Sequence, residues 1–493
     1  MNLDKKVLKD LLYDIKQLIE QCLENEVKQK ELLNSLHKKN EKTLVNFVHY
    51  LALRKKDIRK LQFQLSNLGL SSLGRAESHV MYNLKAVENI LKSLQGIEIK
   101  DNGKADILHL EDAKDLLIKH TDALFQKSKR ERRVRIMVTI PSEAADNQHL
   151  VHALFESGMD VARINCAHDS QADWKKMIQN IKTAQIKYNK KCPVFMDLSG
   201  PKLRTEWYNM PHMEKKYIVH PGDEIQLISS DYKGIFKSKI VLGCTLKDLF
   251  EKIQPGESVK IDDGKIEATV IESKNNSLII KVLHTGPEGA KLKKDKSINL
   301  PETKLGIYGL TDRDKKDLEF VVKYADGVNM SFVNRKEDVK QLLKHLKELN
   351  KPNFPFTLKI ETKEGFEKLP LIILEAMKSY PFGVFIARGD LAVECGWERM
   401  AEIQEEILWM CEAACVPIIW GTQVLENMVK TGIPSRAEIT DAAMSQRAEC
   451  VMLNKGPFVM EGIKMLDTIL ASMQEHQQKK VSTLRRLNLA DIA

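Results

Sequence analysis

The sequence predicts an α/β protein. Its expected centre is a (β/α)8 TIM barrel, interrupted after its third strand by a small inserted β-barrel domain and preceded by an all-helical domain. Three observations predict this. All 15 prolines lie at or after Pro141, and only four of the 24 glycines precede it. Short apolar runs then alternate with helical patterns until eight strands are counted. Between about Glu206 and Leu300 the alternation gives way to β-branched runs separated by turns. Length agrees: 493 residues suggest roughly three domains at about 150 residues each. The expected division is 1–130 for the helices, 131–205 with 301–480 for the barrel, 206–300 for the inserted domain and 481–493 for a tail.

The first region is poor in helix breakers. Leu8, Leu11, Leu12, Ile15, Ile19 and Cys22 fall at helical spacing on one face. A second helix is expected near Leu44–Leu65 and a third near Arg75–Leu94. The basic run Lys127–Arg133 reads as a solvated linker in preference to a nucleic-acid patch. Barrel strands follow at Val134–Ile140, Val161–Asn165 and Pro193–Leu198, with helices at Gln148–Phe155 and Trp174–Ala184. In the insertion, runs such as Glu224–Ile228 and Leu278–Val282 are separated by Pro221-Gly222, Asp263-Gly264 and Asn275-Asn276. Strands four to eight are expected at Gly327–Phe332, Phe356–Glu361, Gly383–Ala387, Pro417–Gly421 and Cys450–Leu453. Helices include Glu337–Leu349 and Glu398–Ala414.

Composition sets limits. Hydrophobic residues are 43% and charged residues 29%, the balance of an ordinary globular chain. The formal net charge of +9 fits an anionic partner without requiring one. Eight cysteines include no C-x-x-C pair, which argues against a disulfide framework or a zinc site and for a reducing compartment. No signal peptide is legible and no apolar stretch reaches about 18 residues. The expected address is the cytoplasm, with no membrane partner. Lys291–Lys296 is basic but lacks aromatic neighbours, so no nucleic-acid partner is expected. Cys411 and Cys415 read as buried packing, and His149 and His152 as helix residues without a partner.

Charge at strand ends is the functional signal. Parallel barrel strands are covered on both faces, so charge there is costly unless paired or used. Arg163 with Asn165, Lys359 with Glu361, and Arg388 with Asp390 are spaced i, i+2 and read as same-face pairs at the carboxyl ends of strands. Asp197, Lys202 and Arg204 follow strand three, and Thr422 ends strand seven. Glu361 and Asp390 suit one divalent cation, since Mg²⁺ commonly takes few protein ligands. Lys359, Arg163 and Arg204 suit phosphoryl oxygens. No G-x-x-x-x-G-K-[ST] loop is present, so a P-loop enzyme is excluded.

These residues lie in segments that resemble pyruvate kinases. Gly158–His168 resembles "G-M-N-V-A-R-[ML]-N-F-S-H", and Asp197–Thr205 resembles "D-T-K-G-P-E-I-R-T". Ile261-Asp262-Asp263-Gly264 is similar to "V-D-D-G", Lys359-Ile360-Glu361 to "K-I-E", and Phe385–Leu391 to "V-A-R-G-D-L". Gly421–Met428 is similar to "A-T-Q-M-L-E-S-M" and Pro434–Glu438 to "P-T-R-A-E". The resemblance spans roughly Arg133 to Leu470.

The resemblance implies Mg²⁺-dependent (or Mn²⁺-dependent) phosphoryl transfer from phosphoenolpyruvate to ADP, giving pyruvate and ATP. It implies Lys359 on the phosphoryl group in flight and Glu361 and Asp390 on the metal. Arg163, Ser331, Gly389, Asp390 and Thr422 would face the substrate, with Thr422 near the enolate to be protonated. Arg204, His168 and Asn165 would face ADP/ATP, and the inserted domain would act as a lid. Two departures qualify it. The family's serine among the K⁺ ligands is Ala167, while the usual Glu after Gly-Pro is Lys202, near Asn165 and Asp197. The resemblance implies that the Lys202 ammonium replaces the ion, so that K⁺ is expected not to be required. The "S-G-E-T" after strand eight is replaced by Asn454-Lys455-Gly456-Pro457, and the usual C-terminal regulatory domain is expected to be missing. Region 1–130 is extra. Its apolar faces are expected to build an ordinary core, with a homo-oligomer or protein partner as the other reading. The competing functional readings are a non-catalytic sensor or scaffold that binds phosphoenolpyruvate or nucleotide, and another metal-dependent barrel enzyme of phosphoenolpyruvate or pyruvate.

Overall fold

The computed structural model describes residues 5–30, 35–99, 107–128, 130, 132–207, 217–229, 232–245, 250–274, 276–304, 306, 308–478 and 481–482. Lys129 and Glu131 of the basic run, Asn275 of one expected turn, and 483–493 of the expected tail lie outside the described residues.

Eight parallel strands close a barrel: β1 (Arg135–Thr139), β2 (Val161–Asn165), β3 (Val194–Asp197), β4 (Gly327–Met330), β5 (Phe356–Ile360), β6 (Phe382–Ala387), β7 (Ile418–Gly421) and β8 (Cys450–Leu453). Each pairs with its sequence neighbours, and β8 returns to β1 through Arg135↔Cys450. All eight are buried almost throughout, as a sheet covered by crossover helices requires. The helices begin where the sequence supplies caps. Ser170, Thr311 and Ser435 each form a capping box with the acid three residues on, opening helices Gln171–Lys187, Asp312–Tyr324 and Arg436–Met444.

The insertion between β3 and the helix Asp312–Tyr324 folds as a seven-stranded sheet. Its edge strands are Thr205–Glu206 and Ile298–Asn299. The bridge Arg204↔Ser297, with Thr205 N donating to Lys296 O (2.8 Å) and Ile298 N to Leu203 O (2.9 Å), links those two edges. The sheet is thereby brought round on itself over its own apolar core.

The amino-terminal helices share the barrel's core. Leu11, Ile15, Phe47 and Leu84 belong to one continuous buried cluster with Ile403 and Cys411 of the barrel helices. Asn46 Nδ2 donates to Ala413 O (2.8 Å) and Asn40 Nδ2 to Met377 O (2.8 Å), so the buried amides fix the orientation of this layer. The expected Leu44–Leu65 helix is two helices, Glu41–Leu53 and Arg59–Asn67. The chain turns at Arg54–Ile58, where Asp57 accepts from Arg59 N (3.1 Å). The third starts later than expected, at Val80.

A further helix, Leu110–Phe125, was not apparent from the pattern. Its last residues, Leu124 and Phe125, join Met137, Val161, Phe195 and Phe385 in the barrel's interior. A Cβ on Gly383 would sit 2.7 Å from Leu124 Cδ2, so β6 needs glycine where this plug meets it. The basic run is corrected as well. It is not a solvated linker: Arg132 is 2% exposed and paired with Asp160 (2.6 Å) and Asp467, while Arg130 pairs with Asp467 (3.2 Å) and Arg135 with Asp122. Sequence charge density alone could not reveal the acids that meet it up to 337 residues away.

Candidate active site

Four charged side chains interlock at the carboxyl end of the barrel. Lys359, near the end of β5, places Nζ 2.7 Å from Glu361 Oε1, 3.3 Å from Asp197 Oδ2 and 3.0 Å from Ser331 Oγ. Arg163, on β2, donates from Nη2 to Asp197 Oδ2 (2.7 Å) and from Nη1 to Thr139 Oγ1 (2.8 Å). All four are buried. Asp197 is further held by Asn329 Nδ2 (2.6 Å), whose own Oδ1 accepts from Thr357 Oγ1 (2.6 Å).

The electrostatics follow from that packing. Burial pushes the Asp197 carboxyl up, but Arg163 and Lys359 outweigh it and bring its pKa down to about 2. Burial opposes the Lys359 ammonium, and Glu361 with Asp197 more than restores it, raising its pKa. Glu361 moves the other way. Burial raises its pKa, Lys359 opposes, and the charge of Asp390 adds to the rise. Two acids that repel one another at the edge of this network are a fitting donor set for a divalent cation. Among the described residues no group of three or more candidate metal ligands occurs, so such an ion would draw its remaining ligands from water or substrate.

One expected same-face pair does not form. Arg388 and Asp390 open a helix, Arg388–Cys395, instead of extending β6. Arg388 therefore turns to Asp441, stacks over Trp420 (4.9 Å) and donates to Thr422 O (2.7 Å). Asp390 meets Lys202 Nζ at 2.5 Å. Asn165 does end β2 two residues after Arg163, as expected, and accepts from Ala167 N at 3.0 Å. Strand β4 ends at Met330, because Phe332 takes φ 54° and aims its N–H at Glu361 Oε2 (2.6 Å). Gly389 N donates to Thr422 Oγ1 at 3.0 Å, and a Cβ at Gly389 would lie 2.9 Å from that oxygen. Glycine is what lets the two backbones approach.

Arg204 stands at the mouth of the inserted sheet, held by Asp295 (3.3 Å). His168 lies near it: burial lowers the imidazole pKa, and Lys455 and Arg204 lower it further. The inserted sheet rests on the helix that carries Asp390. Lys260 Nζ donates to Val393 O (3.1 Å) and Asn299 Nδ2 to Glu394 Oε1 (2.8 Å). Lys202, in the connection leading to the sheet, adds its bond to Asp390.

Residues 131–458 match the family model "Pyruvate kinase, barrel domain". The chain belongs to the pyruvate kinase family. It is 29% identical over 369 residues to a pyruvate kinase of Staphylococcus saprophyticus, covering 73% of this chain and 60% of that protein. It is 30% identical over 352 residues to one of Borreliella burgdorferi (70% of this chain, 69% of the relative) and 28% over 353 to one of Clostridium acetobutylicum (70% and 71%). The chain thus spans about 60–70% of the length of these pyruvate kinases. The matched region includes all eight strands. No helix among the described residues is long and apolar enough to cross a membrane.

Several site residues escaped the sequence reading: Thr139, Asn329, Thr357, Asp441 and Lys455. The first three had a signal, a polar residue inside an otherwise apolar strand. Asp441 had none, since it sits on a helix 53 residues from the arginine it holds.

Proposed function

We propose that this chain transfers the phosphoryl group of phosphoenolpyruvate to ADP, yielding pyruvate and ATP. The observation that carries the reading is the Lys359–Glu361–Asp197–Arg163 network, with Asp390 beside it on the neighbouring element. Lys359 follows the phosphoryl group between donor and acceptor oxygens, where a fixed cation in a dry site stabilises developing charge. Arg163 and Ser331 orient the substrate phosphate and carboxylate. Glu361 and Asp390 hold Mg²⁺ or Mn²⁺, which when bound neutralises phosphoryl oxygens. The P–O bond to the enol oxygen breaks as a β-phosphate oxygen of ADP bonds to phosphorus. The electron pair left on the enolate takes a proton at carbon, on the side faced by Thr422. Gly389 N–H fixes the Thr422 hydroxyl for that step. Arg204, His168 and Asn165 face the nucleotide, with Lys455 an added cation there. The unit at 206–300 closes over the reaction and excludes water. A cytoplasmic setting fits these substrates.

Lys202 stands for the monovalent cation. Its ammonium lies on Asp390, while Asp197 is already satisfied by Arg163, Lys359 and Asn329, and Asn165 by a backbone amide. Activity then needs no K⁺. ATP formation from phosphoenolpyruvate and ADP, measured in Mg²⁺ with Na⁺ or K⁺ as counter-ion, should be equal in the two salts. A strict K⁺ requirement refutes this role for Lys202. Absence of ATP formation in either salt, with phosphoenolpyruvate still bound, refutes the transfer reaction and leaves a sensor.

A further inference from the structure

At the amino-terminal end of the barrel, opposite Lys359, the helix Leu110–Phe125 and the loop after it enclose a cavity of about 310 Å³. That is the lower end of the size range for small-molecule sites. Its two walls differ. One is apolar, built by Leu110, Leu117 and Ile118. Leu110 is 38% and Ile118 47% exposed, so apolar side chains here face open space. The other wall is cationic. Among the described residues, seven arginines and lysines line the cavity against three acids.

Most of these cations are already committed. Arg132 and Arg130 hold Asp467, and one terminal nitrogen of Arg135 holds Asp122. Among the donors of this wall, the Nε groups of Arg133 and Arg135 stand apart. Both are buried without a hydrogen-bond partner, and Arg135 as a whole is only 6% exposed. Burial lowers the Arg133 pKa against the pull of Glu449. A buried donor left unmade is costly, and an incoming acceptor recovers that cost.

We propose that this cavity binds a small organic carboxylate, its charged group on Arg133 and Arg135 and its apolar body on Leu110, Leu117 and Ile118. A carboxylate brings two acceptor oxygens to these two donors and sets its charge beside both guanidinium groups. A monoanion is favoured over a phosphate dianion because Asp122, Glu412 and Glu449 also line the space. The site is separate from the proposed phosphoryl-transfer centre, and neither reading depends on the other.

The test is calorimetric titration of the full chain with 3-phenylpropionate. The expected result is saturable one-site binding that is weakened at least tenfold in Arg133→Gln and in Ile118→Asp, and kept in Lys359→Met. The neutral 3-phenylpropan-1-ol should not saturate. Ile118 is solvent-facing, so Ile118→Asp keeps the test sound should Arg133→Gln fail to fold, which circular dichroism reports. No saturation by the folded wild type, equal binding by Ile118→Asp, or tighter binding of inorganic phosphate than of the carboxylate each overturns the proposal.

Discussion

The two ends of the barrel both carry buried charge and use it differently. At the amino end, Asp160 takes Arg132 at 2.6 Å, Lys190 at 3.1 Å and the Ile136 amide at 3.0 Å. Leu124 and Phe125 close the bottom below β6. At the carboxyl end, Lys359 shares two acids, Asp197 and Glu361, and Glu361 is raised in pKa by burial and by Asp390. Around Asp160 the charges are paired with one another. The carboxyl end retains a frustrated acid pair that a cation would relieve. The lesson is that buried ion pairs do not by themselves mark a site. What marks it is an imbalance that a ligand corrects.

Four outcomes would break or sharpen that contrast. The largest is at the carboxyl end: Lys359→Met should lower ATP formation by about 10³-fold, as loss of a transition-state charge contact does, with native circular dichroism. An equal rate in a coupled assay would dissolve the distinction. Next, Asp160→Ala should destabilise the fold by about 3 kcal/mol, by removing the buried acid that Arg132 and Lys190 share, without changing turnover per folded molecule. Denaturant melts beside active-site-normalised rates read both quantities. Third is acid stability. The Asp197 carboxyl titrates near 2 when folded, below its ordinary value near 4, so its contribution is fully present at neutral pH. It is lost as pH falls from about 4 towards 2, and Asp197→Asn should remove roughly 2 kcal/mol of that slope. Stability measured from pH 6 to pH 2 tests the sign. The smallest is Ser170→Ala, which removes a helix cap that belongs to neither charge network and should cost about 1 kcal/mol in a denaturant melt, with kinetics unmoved.

Much of this was legible beforehand, for a local reason. Strand β2 and strand β8 were read to the residue because an apolar run bounded by turn signals is a short-range pattern. The readings failed where a local pattern was cut by a distant partner. Strand β4 loses its last two expected residues to the Phe332 turn, whose amide serves Glu361. Arg388 and Asp390 fit a strand's alternation, but the chain bends into a helix there and sends them to opposite neighbours. The helix Leu110–Phe125 was passed over because its buried set, Ala113, His120, Thr121, Leu124 and Phe125, includes polar residues and meets two different partners.

The sequence by itself determined the order of strands and helices, the interruption after β3 and the residue types gathered at the carboxyl ends, since these depend on periodicity and composition within a few residues. Only the tertiary structure decided which charge meets which. Lys202 could have faced solvent, Asn165 or Asp390, and the basic run Lys127–Arg133 could have lain open to water. Those choices depend on contacts across up to 337 residues of chain, set by how barrel closure brings β8 back to β1 and lays the inserted sheet on the helix of Asp390. Pairing energies inside such a frame are fixed by distance and burial, and neither is written in local sequence.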